Sequence, residues 1–357
     1  MENNKVVDNP PLIENDSYLA VRNGEKFWLF HQQYEDQPDY RHGHQILSAG
    51  SSVIDFDIDK NEWNSNGFHE SRSFLNKDES QKLDEIALTF ANSIFMLLFN
   101  RFEGLQIKSL LQFDEQTKEW LTHSEINKVL ENSTGDNTFG SKLLLVKGEQ
   151  SNEGPYLVTK VSTSERTRFL LLQLKIDKQS EVEVLHEVDD LYSVFPAMDP
   201  LPFAATCVKQ QIYIATAERG CGYRWRTEDL IRFDLETKKL DSVLVDRENP
   251  SFGLLMASEN FYDSASDSWI FFGSLSKVGG FPLPNGEQST PETKFYSISQ
   301  LTSNPNWKQS ETALINPNHD DLYVPLDQFV YVISRQHGTL KLPFGAFHTI
   351  KSQKEEL

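Results

Sequence analysis

The sequence predicts an all-β protein, a six-bladed β-propeller of four-stranded antiparallel blades. Three observations predict it. Six short and very apolar segments start at residues 27, 94, 156, 212, 269 and 329, a spacing of roughly 60 residues that fills the chain. A second motif lies downstream of the apolar segments: an apolar run ending in Asp, a polar turn, then an aromatic or aliphatic residue. It reads VIDFDIDKNEW at 53–63, LLQFDEQTKEW at 110–120 and LIRFDLETKKL at 230–240, with looser copies from Leu172 and Phe295. Finally, runs such as Ile54/Phe56/Ile58 alternate with a period of two, the mark of a strand with one face turned to a core.

Each copy supplies the same order of elements: a strand, a tight polar turn, the very apolar strand, a variable loop, the Asp-ending strand, a turn, and an amphipathic strand. In the first copy the turn is Asn23-Gly24, before FWLFH at 27–31 and VIDFD. The second turns at Asn92 into IFMLLF (94–99) and then LLQFD; the third has YLVTKV (156–161) and Asp177 but no Trp after it. The fourth turns at Lys209-Gln210 into IYIATA (212–217), and the fifth carries WIFFGS (269–274) and FYSISQLTSNPNWKQ. The sixth, with Asp327-Gln328 and FVYVIS (329–334), lacks the Asp–Trp element and has room for three strands or four short ones. SYLAV at 17–21 is expected to complete a blade and protect a sheet edge. A segment that is apolar on both faces sits between neighbouring blades, and the Trp after the Asp turn fills the gap between them. Insertions at 64–82 and 124–140 are expected to carry short helices (ESQKLDEIAL and EINKVLEN), and 281–293 reads as a Pro-rich loop. Residues 17–350 form a single propeller in this reading, with 1–16 and 351–357 as disordered ends.

The Asp–Trp half of the motif, Asp57/Trp63 and Asp114/Trp120, resembles the kelch repeat and its galactose-oxidase-like relatives; Asp234 with Leu240 matches in part. Those repeats also carry a diglycine after the apolar strand, which here survives only as Phe271-Phe272-Gly273. The resemblance implies a kelch-like propeller and covers the whole chain as architecture.

Bulk composition narrows the partners. The chain of 357 residues has a formal charge of −19, which argues against a general affinity for nucleic acid or an anionic membrane. The first 14 residues show no apolar secretory core, and the longest apolar run, SIFMLLF at 93–99, has strand length. Two cysteines make no disulfide framework, so a reducing compartment, cytoplasmic or nuclear, is expected.

Function in a propeller belongs to its loops. The loops that follow the apolar strands contain Arg41, Arg101, Arg166, Arg168, Arg219, Arg224, Arg226 and Arg335, eight of the 12 arginines. Tyr40, Tyr223 and Trp225 interleave with them. A guanidinium offers a planar fork to carboxylate or phosphate and stacks on aromatics. The opposing reading is that these arginines cap loop backbones and pair with nearby acids such as Glu35, Glu165 and Glu218. Among the loops, ERGCGYRWR is the strongest candidate, because glycines let the backbone approach a partner closely. His42 and His44 have a spacing compatible with metal ligands, but no further ligand accompanies them. Cys221 lies among arginines without an evident base, and His31, His337 and His319-Asp320-Asp321 are candidates for acid–base groups. No catalytic residue, metal site or cofactor is assigned from the sequence. The expected function is non-catalytic recognition of an acidic or phosphorylated protein or peptide by a monomer through the arginine-rich loop face. The alternative is a hydrolase or lyase.

Overall fold

Three of the sheets open on a hairpin whose two-residue turn sends the chain straight back on itself. Gly24 sits at φ 58 as the first central residue of its hairpin turn, whereas Ala91-Asn92 (φ 47, 58) and Lys209-Gln210 (φ 51, 61) are left-handed at both central positions. These are the mirror-image hairpin turns, whose twist matches that of the flanking strands. The computed structural model describes residues 7–8, 17–35, 45–70, 84–100, 105–130, 143–146, 155–162, 167–189, 200–219, 225–243, 246–247, 254–276, 292–309, 322–326, 329–334 and 338–344.

The strands form six antiparallel sheets, the blades of a β-propeller. The first contains β1 (Ser17–Asn23), β2 (Lys26–Glu35) and β3 (Gln45–Asp57), with an outer strand broken into β4 (Glu62–Trp63) and β5 (His69–Glu70), both paired to β3. The second runs β6 (Asp84–Phe90), β7 (Ser93–Asn100), β8 (Gln106–Asp114), β9 (Glu119–Val129). The third runs β10 (Leu144–Val146), β11 (Tyr156–Ser162), β12 (Thr167–Lys175), β13 (Glu181–Asp189). The fourth is β14 (Pro200–Val208), β15 (Gln211–Arg219), β16 (Trp225–Asp234), β17 (Leu240–Val243). In the fifth, β18 (Asp246–Arg247) lies parallel to the outermost strand of the meander β19 (Leu254–Asp263), β20 (Ser268–Ser276), β21 (Glu292–Ser299), β22 (Asn306–Gln309). The sixth has three strands, β23 (Leu322–Pro325), β24 (Phe329–Ser334) and β25 (Gly338–Pro343).

The described residues belong to two compact units: Lys5–Asp189 with Arg335–Thr339, and Asp190–Ser334 with Met1–Asn4 and Leu340–Leu357. In the first unit, Trp28, Phe30 and Val53 of the first sheet pack on Ile94, Met96, Leu98, Phe113 and Trp120 of the second. The opposite face of the second sheet, Phe95, Leu97 and Ile107, packs on Leu157, Leu170 and Leu172 of the third. This explains why β7 is buried along almost its whole length: alternate residues serve two different cores. In the second unit Tyr213 and Leu230 meet Trp269, Phe271 and Ile298, while Ile270 and Phe261 meet Val330, Val332 and Leu342.

The recurring Asp motif is a closed local device. The Asp114 carboxylate accepts the N–H groups of Gln116 (2.8 Å) and Thr117 (3.3 Å), and its carbonyl accepts that of Lys118 at 2.8 Å. Asp234 repeats this with Glu236, Thr237 and Lys238. Lys118 (φ 62) and Lys238 (φ 59) are left-handed, as is Asn61 (φ 55) at the same place after Asp57. The turn leaves Trp120 almost fully buried between two sheets, its predicted position.

One expectation changes. SYLAV completes a blade as expected, as the first strand of the first sheet, and the change lies with the helices. No α-helix occurs among the described residues: EINKV is the end of β9 and DEIAL begins β6. Ile86 and Leu88 stand opposite Leu97 and Phe95, so a neighbouring strand supplies at once the hydrogen bonds that a helix this short cannot nucleate alone.

Candidate functional site

In the four-stranded meanders the first-to-second and third-to-fourth strand connections share one edge, and the segments after the second strand leave from the other. The latter edge is the candidate site. Arg41, Arg101, Arg166, Tyr223, Arg224 and Arg335 lie outside the described residues. Arg219, Trp225 and Arg226 are placed by their backbone: Arg219 is opposite Trp225 and Glu218 opposite Arg226 at the mouth of the β15–β16 hairpin. The loop between them is the Gly-Cys-Gly-Tyr-Arg stretch 220–224. Tyr40, His42, His44, Cys221, His319 and His337 also lie outside the described residues.

Arg168 is described in full. Its Nη1 donates to Glu187 Oε1 at 2.7 Å and its Nη2 to the Leu130 carbonyl at 2.8 Å. The guanidinium thereby ties the third sheet to the end of β9, and its side chain is only 13% exposed. This is the structural use of an arginine fork.

The apolar second strands take on buried polar side chains toward the candidate edge: His31, Asn100, Lys160, Thr216 and Ser334. His31 has the most telling surroundings. Tyr18, His31 and Ser52 are directly opposite one another on β1, β2 and β3. The imidazole Nδ1 and the Ser52 hydroxyl are 3.4 Å apart, and the ring lies against Tyr18 at 5.1 Å between centroids. A hydroxyl and an imidazole so placed can exchange a proton. Among the described residues no three His, Cys, Asp or Glu side chains converge as a metal site would require.

The turn-bearing edge holds the other charged constellation, which sequence reasoning missed. Asp55, buried on the core face of β3 opposite Trp28, accepts from Lys26 Nζ at 2.8 Å and Asn64 Nδ2 at 3.1 Å, with Lys118 Nζ at 3.9 Å. Burial alone would raise the Asp55 pKa, but the bonds from Lys26 and Asn64 and the two ammonium charges outweigh it and hold the group below the ordinary carboxylate range. Burial also pulls the Lys118 ammonium down. The Trp28 face, 3.8 Å from Lys118 Nζ, opposes that pull by favouring the cation. The cluster is an ionic bolt between the first two sheets, and a carboxylate kept ionised in this way is no proton donor at neutral pH. The signal for it was available: Asp55 shares the parity of Val53 in VIDFD, so it occupies a core position.

No family model and no curated protein matches the chain. Solved structures do. The phage phi92 endosialidase is similar over 99% of this chain and 70% of its own, with a TM-score of 0.52 at 9% identity. The exo-β-1,3-galactanase of Phanerochaete chrysosporium is similar over 91% and 66%, with a TM-score of 0.48 at 8% identity. The Kuenenia stuttgartiensis hydrazine synthase is similar over 88% and 72%, with a TM-score of 0.44 at 10% identity. At such identities the likeness is one of fold. The kelch resemblance of the Asp–Trp turn therefore reaches the propeller architecture, and no family match extends it to the kelch family. The expectation of non-catalytic protein recognition is corrected. The structure matched at a TM-score of 0.52 carries the name of an endosialidase, not of a recognition propeller. The one arginine of the expected face with a described side chain also has both ends of its fork engaged inside the fold.

Proposed function

We propose that the chain is a hydrolase acting on a negatively charged glycan, with its substrate seated at the edge of the sheets from which the arginine-rich loops leave. The observation that carries this reading is that seven of the 12 arginines, besides the structurally engaged Arg168, fall in or beside the segments joining the second strands to the third. The phage phi92 endosialidase supports it as a matter of fold, since this chain is similar to it over 99% of its length and its name denotes cleavage of a sialic-acid-bearing substrate. Arginine forks suit sugar carboxylates, and tyrosine and tryptophan side chains give sugar rings an apolar face to rest on. Within the first sheet, His31 and Ser52 are the described side chains best placed to handle a proton.

The test is cleavage by the purified chain of sialylated and uronate-bearing polysaccharides against neutral galactan, followed by release of reducing ends. The anionic substrates should be cleaved. The Arg224→Ala/Arg226→Ala variant should lose about 100-fold or more in kcat/KM, as expected for two charge-assisted contacts of ~1.5–3 kcal/mol each. Its melting temperature should be unchanged. Cleavage of neutral glycan alone, or full activity in the double variant, refutes the assignment.

A further inference from the structure

The glycan reading leaves one enclosed amine unused. Lys118 closes the Asp114 turn, where its N–H donates to the Asp114 carbonyl at 2.8 Å and its φ of 62 fixes the direction in which the side chain leaves. That side chain is 21% exposed, and its Nζ lies 3.8 Å from the centre of the Trp28 ring and 3.9 Å from Asp55 Oδ1. Asp55 gives its short bonds to Lys26 Nζ at 2.8 Å and Asn64 Nδ2 at 3.1 Å, so Lys118 is held by charge and by the indole face. Such a setting favours a positive charge on that nitrogen without requiring three ammonium hydrogens to carry it.

The setting discriminates between products of the amine. An acyl group would turn the nitrogen into a neutral amide and forfeit both contacts. An imine, once protonated, keeps the charge on the same atom, where the carboxylate and the ring still act on it. Lys118 is also readier than an ordinary lysine to shed a proton and attack a carbonyl. Burial disfavours its ammonium most, and repulsion from Lys26 adds to this, against the opposing pull of Asp55, Glu115 and Asp114. The same three carboxylates repel an anionic reagent, and the limited exposure restricts its size.

We propose that Lys118 Nζ is a carbonyl-capture site that condenses reversibly with small uncharged aldehydes and holds the protonated imine between Trp28 and Asp55. In the step the neutral amine attacks the carbonyl carbon, a C–N bond forms, and the carbonyl oxygen leaves as water. Ammonium and aldehyde together give protonated imine and one water, with charge and protons conserved. The site is on the turn-bearing edge and does not depend on the glycan reading.

The test is reductive trapping on the full chain: propanal with sodium cyanoborohydride, which delivers hydride to the protonated imine, followed by site-resolved mass spectrometry. At neutral pH and limiting aldehyde, Lys118 should be propylated roughly fivefold or more faster than Lys60 and Lys175. Those two are more exposed, at 67% and 44%, but their carboxylate partners make their protons harder to remove. Labelling of Lys118 should also rise at a lower pH than theirs, a readout that exposure does not move. Lys26→Gln, which can still donate to Asp55, removes the neighbouring ammonium and should slow Lys118 roughly threefold while leaving Lys175 unchanged. Labelling of Lys118 no faster than that of Lys60 and Lys175, or only after unfolding in urea, overturns the proposal, as does a folded Lys26→Gln variant that labels like wild type. Should that variant not fold, the wild-type pH series decides: a rise at Lys118 no earlier than at the other two refutes the site, and an earlier one supports it.

Discussion

Replacing Trp120 tests the reason that the Asp turn ends in an aromatic residue. The side chain is 1% exposed, with ring centroids 5.0 Å from Phe30 and 5.1 Å from Phe113, so it touches two sheets at once. Truncating a Trp buried to this degree costs ~3–5 kcal/mol, because the surrounding β-strands cannot collapse into the space. A second term is specific to this site. The Trp120 Nε1 is buried without a hydrogen-bond acceptor, as is the Trp28 Nε1 in the same core. An unmet donor of this kind costs ~1–3 kcal/mol. Trp120→Phe removes that donor while losing only part of the volume, so the two effects oppose each other and the net change should be within ~1 kcal/mol. Urea unfolding followed by far-ultraviolet circular dichroism and by tryptophan fluorescence measures both variants. A Trp120→Ala variant within ~1 kcal/mol of wild type would show that the ring is not packed as described. A Phe variant as damaged as the Ala variant would show that the indole N–H is satisfied.

The Asp55 cluster predicts a pH dependence. A carboxylate whose folded pKa is lowered contributes stability above its unfolded value, near ~4, and loses that contribution as pH falls through the folded value. Wild type should therefore lose stability more steeply than Asp55→Asn as pH falls below about 4; parallel curves would remove Asp55 as the cause. Arg168→Ala should destabilise by about 2 kcal/mol, since it leaves the Leu130 carbonyl and the Glu187 carboxylate without their shared donor. Arg168→Lys should recover less than half of that in the same urea titration, because an ammonium cannot span both acceptors.

The architecture was legible because its signals are local and repeated. A strand such as 94–99, apolar at every position, must lie between two cores, and an Asp followed by a left-handed residue four positions later closes a turn without help from elsewhere. Trp120 could be placed from its repeat position alone. What escaped the sequence is what depends on partners remote along the chain. Asp55 meets Lys26 and Lys118 across two sheets, and Arg168 meets Leu130 across a sheet boundary. An arginine in a loop list looks identical whether its fork faces substrate or a neighbouring carbonyl; only its acceptors distinguish the two. The helix expectation for EINKVLEN failed for a related reason. Its amphipathic spacing suits a helix in isolation, and pairing with β8 overrode it.

Val7 and Thr339 of β25, far apart in sequence, exchange two backbone hydrogen bonds, and that pair orders events in time. Apart from the short β5 and β18, paired strands within the sheets are successive in sequence, so a blade can form soon after its residues leave the ribosome. Val7 cannot pair until Thr339 exists. At a synthesis rate of ~5–20 residues per second, the segment made first waits from about fifteen seconds to about a minute for the strand that receives it. Throughout that interval Val7 is without the partner it has in the folded chain.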